Sequence, residues 1–483
     1  MRNRPILTAL APAFVVAAAC GPVDAQRTRS ISASDKQQGA QANPQLIAEY
    51  GGRYTGPQAA YVERVGKRVA LQSGLSNAAG DFTVTTLNSP VENAFAIPGG
   101  YVYVTRQLLA LMNSEAELAS VLGHEVGHVA ARHSRERQRA SSLGTIAGVV
   151  GSQLAGAFLG SGIAGQLGSR AAQVLPQLGV LKYGRDQEYE ADSLGVRYIT
   201  GAGYDPHAAA SMLTQLNAET TLDARIAGRD ADAVPTWAST HPNGADRIAR
   251  ARKLAQQTGR QPAGTQDTTF LRMLDGLPYD DDPRQGVIDN QTFRHPDLRL
   301  RFTAPPGYRI ANSAQAVTVV GQGGQAQLTG SNASTPEGAI TARFQSLGAR
   351  SPGEARTGTA NGLPYAYGTV QASANGRAVD ATVVAYRLPT GVYTFTLVTP
   401  AGSGIGPFQP LLASVAPLSA SEAAAVRGKV IRIHTVRAGD TVDSLAARMA
   451  YPAYRRERFT TLNGLTGNAQ LRPGMLVKLV VNG

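Results

Sequence analysis

The sequence predicts an α+β chain: a mainly helical domain with a small β-sheet, then a β-rich domain and a terminal βααβ module. Three observations predict it. Residues 114–129 carry Leu118, Val121, Leu122, Val126 and Val129 at helical spacing behind a Ser114/Glu117 capping box. Between residues 290 and 400, short alternating stretches are separated by turn residues at hairpin spacing. Residues 430–483 order as strand, capped helix, helix and strand. A chain of 483 residues has room for about two to four domains.

The start reads as an export signal over residues 1–25: Arg2 and Arg4, then an apolar run from Ile6 to Ala19 too short to span a bilayer. A flexible tether is expected over 26–43. Cys20, the only cysteine, follows the run and precedes Gly21, which resembles a bacterial lipoprotein acylation site, although Ala17 stands where that motif usually has Leu. Lipidation there gives a periplasmic protein anchored to the outer membrane; cleavage after Ala25 gives an unanchored one. The first is favoured because a lone cysteine at that position has no other evident use. The net charge of +12 comes mostly from arginine. No basic run with interleaved aromatics accompanies it, which excludes nucleic acid as a partner and leaves anionic envelope surfaces.

Thr83 to Leu87 and Tyr101 to Thr105 alternate like two strands, and Pro98-Gly99-Gly100 between them is turn chemistry, so a hairpin is expected. The helix that follows carries His124-Glu125-Val126-Gly127-His128. Four residues is just over one helical turn, so both imidazoles leave one face. Glu125 lies beside that face, where it reaches a water on a metal held by the pair. Two ligands and a general base therefore stand at the spacing a zinc hydrolase needs. As a third ligand His133 fails, because the close three-His pattern requires Gly and His where Ala131 and Ser134 stand. In Glu188-Tyr189-Glu190-Ala191-Asp192, on a second expected helix, Glu188 and Asp192 share a face and Glu190 points the opposite way. Glu188 is assigned to the metal, Asp192 to the non-ligating N–H of one His, and Glu190 to solvent.

These residues resemble the HtpX and CAAX-prenyl-protease type of zinc metallopeptidases, and within it an exported bacterial branch. Four blocks in the family's order carry the likeness: Asn93-Ala94-Phe95-Ala96-Ile97-Pro98-Gly99-Gly100, His124 to His128, Glu188 to Asp192, and Ser239-Thr240-His241-Pro242 with Asp246-Arg247. They fall within residues 44–260, taken as the metallopeptidase domain. The resemblance implies a gluzincin fold with Zn²⁺ on His124, His128 and Glu188, and with Glu125 activating the attacking water. Asn93, Ala94, Phe95 and Ala96 are expected to offer a strand edge on which an extended peptide pairs by its main chain. Pro242 biases His241 toward an extended conformation, so its ring can reach a neighbouring cleft. His241 is either a donor to the tetrahedral oxyanion or an inhibitory plug in zinc's fourth position. The plug is favoured, since an unguarded protease in the envelope is hazardous.

Residues 141–169 contain no charge and are rich in Gly, Ala and Ser. They are long enough to span a membrane but weakly hydrophobic, and are expected as a helical hairpin or flap beside the cleft. A linker is assigned to 261–289, where Asp275-Gly276-Leu277-Pro278 leads to Pro283, and a β-rich accessory domain to 290–420. There Gly368 to Ala372 and Ala378 to Tyr386 flank Asn375-Gly376, and Val392 to Val398 follows Pro389-Thr390-Gly391. No titratable cluster accompanies these strands, which makes the domain a scaffold or partner-binding unit. In 430–483, the segments His434 to Thr441, Leu462-Asn463-Gly464-Leu465 and Leu471-Arg472-Pro473-Gly474 resemble a LysM module. The resemblance implies peptidoglycan contact through Gly439, Asp440, Thr441, Pro473 and Gly474; a module used only for packing is the alternative. Removing 430–483 is expected to spare peptidase activity on small peptides.

The expected function is an exported zinc endopeptidase that cleaves unfolded or misassembled envelope proteins, outer-membrane proteins among them. Two other classes stay open. A non-catalytic assembly chaperone or scaffold is disfavoured by the intact His124, Glu125, His128 and Glu188. A peptidoglycan-tethered structural lipoprotein, or an enzyme acting on peptidoglycan crosslinks, is separated from the first reading by a substrate test.

Overall fold

The computed structural model describes residues 30–75, 79–135, 183–227, 241, 244–264, 266–347, 355–374, 377–465 and 471–483. The export signal, Cys20, the uncharged segment 141–169 and the Asn375-Gly376 turn lie outside the described residues. Helices and sheets are mixed along the chain, an α+β architecture. Among the described residues no helix is long and apolar enough to cross a membrane.

Helix α1 (Ala33–Glu49) starts inside the stretch expected as a flexible tether. Ser32 caps it by accepting the N–H of Asp35 at 3.1 Å. Ala42, Leu46 and Tyr50 recur every four residues, and that stripe packs on a three-stranded sheet. Helix α2 (Pro57–Ala70) precedes the sheet, whose strands are β1 (Thr83–Leu87), β2 (Ala94–Ile97) and β3 (Tyr101–Thr105). The expected hairpin is wired differently. β3 lies centrally, parallel to β1 and antiparallel to β2, so Pro98-Gly99-Gly100 joins β2 to β3 and β1 is no arm of that turn. Gly99 and Gly100 take φ of 92° and 84°, a left-handed turn that side chains resist. Alternation sorts the two faces: Phe95, Ile97 and Tyr103 meet α1, while Ala94, Ala96, Val102 and Val104 enter the main core.

Into that core fall the apolar faces of α3 (Arg106–Leu111), α4 (Glu115–Ala131), α5 (Arg185–Gly201) and α6 (Ala208–Ala227). Helices α7 (Ala245–Gln257) and α8 (Thr268–Met273) and the short strand β4 (Pro278–Tyr279) follow. The stretch 261–289 is therefore no free linker. Phe270, Leu271, Leu274, Leu277 and Tyr279 are buried, because the Gly and Pro of this segment punctuate apolar residues that need covering.

The C-terminal βααβ order is present, as strand Lys429–Thr435, helices Val442–Ala446 and Arg455–Leu462, and strand Leu476–Asn482. It is not a detached unit. Its first strand pairs with both Leu476–Asn482 and β4, and Ile431, Val436, Leu445, Phe459, Leu462, Val477 and Leu479 belong to the same core as α3, α4 and α6. Lys478 is fully buried, and its Nζ donates to the carbonyls of Ala110, Leu111 and Met112 at 2.7, 3.1 and 2.8 Å. Those oxygens lie at the end of α3, where helical partners run out; that of Leu111 also accepts the Asn113 side-chain amide at 3.1 Å. Lys478→Met is expected to lower unfolding stability by about 3 kcal/mol, since it takes the ammonium from three carbonyls and removes the charge facing the buried Glu117; denaturant titration checks this.

The β-rich unit forms a seven-stranded antiparallel sheet from Arg309–Asn312 at one edge to Arg356–Ala360 at the other. Helix Pro336–Ser346 covers one face through Ala339, Ile340 and Phe344. The other face shares a core of Phe293, Phe302, Phe395 and Phe408 with a four-stranded sheet.

Candidate metal centre

Helix α4 begins at Ser114, whose Oγ accepts the N–H of Glu117 at 3.1 Å. Glu117 reaches back to the N–H of Asn113 at 2.6 Å, one residue earlier than the expected box. Leu118, Val121, Leu122 and Val126 hold the helix in the core, so His124, Glu125 and His128 are carried on a fixed rod. Helix α5 crosses it closely. A Cβ on Gly127 would stand 3.0 Å from the carbonyl of Ala191, and one on Gly195 would stand 3.1 Å from the backbone N of His124. Glycines at these two positions keep the approach free of crowding, which sets Glu188 and Asp192 opposite the two imidazoles.

His124, His128, Glu188 and His241 are buried and converge in one cluster. His124 Nε2 lies 3.0 Å from His128 Nε2 and 3.5 Å from Glu188 Oε2. His128 Nε2 lies 3.5 Å from Glu188 Oε1. His241 Nδ1 stands 3.2 Å from His124 Nε2 and 3.0 Å from Glu188 Oε1. Ligands at zinc bond lengths form a tetrahedron with edges of about 3.3 Å, so these separations fit a single divalent ion. Glu125 is completely buried, and among the described residues neither carboxylate oxygen accepts a hydrogen bond. Its Oε1 lies 3.5 Å from His241 Nε2. A buried carboxylate in that condition fits an acceptor for water on the ion.

Around this shell, Asp192 Oδ1 lies 3.0 Å from His124 Nδ1, the nitrogen facing away from the cluster. Arg247, from the first turn of α7, donates to both oxygens of Asp192 at 2.7 and 2.8 Å and meets Glu188 Oε2 at 2.6 Å. Electrostatics follow from this crowding. Burial works against a charge on His124, yet Asp192 and Glu188 hold its pKa up at about 9. Burial pushes His128 well below the usual range and raises the Glu125 carboxyl. Burial also acts to raise Asp192, but Arg247 overcomes it and holds the carboxyl down at about 2. The Glu188 carboxyl, lifted by burial, is brought far below the usual carboxylate range by His241, His124 and His128.

The other sequence-derived positions fall elsewhere. Glu190 is 60% exposed and touches His133. Just before β2, Asn93 Nδ2 donates to the Tyr50 hydroxyl at 3.3 Å, and in β2 the Phe95 ring stacks 4.7 Å from Tyr103, so both side chains serve the scaffold rather than a peptide. β2 is nonetheless an edge strand, and Ala96 and Ile97 line a groove with His128, Val129 and Arg132. Gly439, Thr441, Pro473 and Gly474 are exposed; the Asp440 carboxylate is engaged by His434 Nε2 at 2.9 Å and the N–H of Arg437 at 2.7 Å, and Thr441 caps the next helix. Sequence reasoning gave no role to Tyr183, whose ring stacks 3.7 Å from that of His128, and left Arg247 as a motif letter without a task. Two carboxylates on one buried helix face were the signal that a cation was needed there.

Residues 57–255 match Peptidase family M48. The β-barrel assembly-enhancing protease of Yersinia pestis is 33% identical over 218 residues, 44% of this chain and 42% of its own. The mitochondrial metalloendopeptidase OMA1 of Schizosaccharomyces pombe is 33% identical over 224 residues, 45% of this chain and 59% of its own. The β-barrel assembly-enhancing protease of Escherichia coli (strain K12) is 33% identical over 202 residues, 41% of this chain and 39% of its own. The chain thus spans about half the length, or less, of these relatives. Family and relatives support zinc metalloendopeptidase chemistry, and the matched segment contains His124, Glu125, His128, Glu188 and Arg247.

Proposed function

We propose that this chain is an exported zinc endopeptidase acting on unfolded or misassembled proteins of the cell envelope. The meeting of His124, His128 and Glu188 in one buried cluster, with Glu125 beside it, carries the reading. A zinc ion on those three residues supplies Lewis acidity toward the scissile carbonyl and acidifies a water. Glu125 takes the proton of the attacking water and returns it to the leaving amine. Asp192, clasped by Arg247, keeps the proton of His124 on Nδ1 and its Nε2 lone pair toward the cluster. The substrate lies along β2 by main-chain pairing, because the side chains there face the scaffold. The printed name of the bacterial relatives favours outer-membrane β-barrel proteins as substrates. Acylation at Cys20 would hold the protein on the outer membrane from the periplasmic side, and the loops around Gly439 and Gly474 are the surface offered to peptidoglycan. Hydrolysis of an unfolded envelope protein by wild type against Glu125→Gln tests the whole reading.

The position of His241, about as close to Glu188 and His124 as ligands of one ion are, supports the plug over the oxyanion donor. His241→Ala is expected to raise peptidase activity, by about tenfold if the plug keeps nine molecules in ten closed. A loss of about a hundredfold in kcat would instead make it an oxyanion donor, and an unchanged rate would leave it a structural loop residue.

A further inference from the structure

We propose that His133 and Glu190 are positioning residues for the metal centre, holding His128 in the tautomer and ring orientation that turn its Nε2 lone pair toward the ion. The proposal rests on His128 being a ligand. His133 Nδ1 lies 2.8 Å from His128 Nδ1, and His133 Nε2 lies 3.3 Å from Glu190 Oε2. Two imidazole nitrogens at that distance share one proton. Because His128 Nε2 faces His124 and Glu188, the shared proton sits on His128 Nδ1 and is donated to His133 Nδ1. The proton of His133 is then on Nε2, where Glu190 accepts it. Each link fixes the next, from a carboxylate that is 60% exposed to an imidazole that is 1% exposed.

The backbone is built for this contact. In a continuing helix, residue 133 would stand about 140° around the axis from residue 128, out of reach of its ring. Instead Arg132 adopts φ of 61°, ends α4 and turns the chain back so that His133 comes under His128. A left-handed arginine is uncommon, and it falls where this turn is required. The two helix ligands are thus held differently: His124 by a carboxylate locked to a buried guanidinium, His128 by a buried imidazole backed by the exposed carboxylate of Glu190.

The test uses the full chain with His133→Asn, His133→Gln and Glu190→Ala, reading Zn²⁺ affinity by chelator competition and the d–d absorption of the Co²⁺ form. Asn sets an amide oxygen near the place of Nδ1 and retains the acceptor; Gln sets its amide near Nε2 and does not. Expected is affinity within about threefold of wild type for His133→Asn, a loss of about 10–100-fold with a shifted Co²⁺ band for His133→Gln, and a loss of about two- to fivefold for Glu190→Ala. A role in packing alone would treat Asn and Gln alike. Equal affinities and spectra for the two His133 variants overturn the proposal while leaving the metal centre standing. Absence of a saturable Zn²⁺ site in wild type overturns the metal centre itself. If the Gln variant does not fold by circular dichroism, Glu190→Ala decides: unchanged affinity and spectrum refute the chain of contacts.

Discussion

Glu125→Gln is expected to keep one zinc per chain while hydrolysis of unfolded protein falls by about 10²–10⁴-fold or more. The substitution is isosteric and leaves His124, His128 and Glu188 untouched, so metal content separates loss of the base from loss of the site. The effect should be large because Glu125 is wholly enclosed, no donor among the described residues occupies its oxygens, and burial raises its pKa toward that of a competent base. An amide cannot accept the proton. Elemental analysis beside a turnover assay makes the measurement, and equal rates in the two proteins would remove Glu125 from the mechanism.

Truncation after residue 428 is expected to abolish peptidase activity altogether, small peptides included, by unfolding the metal-binding domain. This reverses what the sequence alone predicts. Removal of the C-terminal strands and helices uncovers Leu213, Leu216, Phe270, Leu277 and Tyr279, which share a core with them. Re-exposing such side chains costs about 1.5–3 kcal/mol each, and the net stability of a domain is only about 5–15 kcal/mol. Loss of Lys478 also takes the ammonium from three carbonyls at the end of α3, just before the helix that carries His124. Circular dichroism and turnover of a short peptide check the result. A folded, active truncation would show that the shared core is dispensable.

Much of the candidate site was legible because its signals are local. Ser114 and the Leu118–Val126 stripe mark α4, the four-residue spacing aligns His124 with His128, and helical phase separates Glu188 and Asp192 from Glu190. What escaped depends on contacts distant in sequence or on unfavoured backbone. The alternation of β1 and β3 fixed their bounds, but nothing in it says that they run parallel with β2 outside. Asp275-Gly276 and Pro278 read as linker, although Phe270, Leu271, Leu274 and Leu277 between and before them are spaced for burial. His133 was weighed only as a ligand; its contact with His128 depends on a left-handed arginine, which propensity does not foretell.

Lys478 and its strand also fix an order of events. The C-terminal strand donates the buried ammonium that terminates α3 and fills the floor beneath the metal helix, more than 350 residues after the first of those carbonyls. A chain made from its N-terminus presents His124 and Glu125 long before that strand follows. The core beneath the metal helix is therefore completed only once Lys478 and its strand have been made.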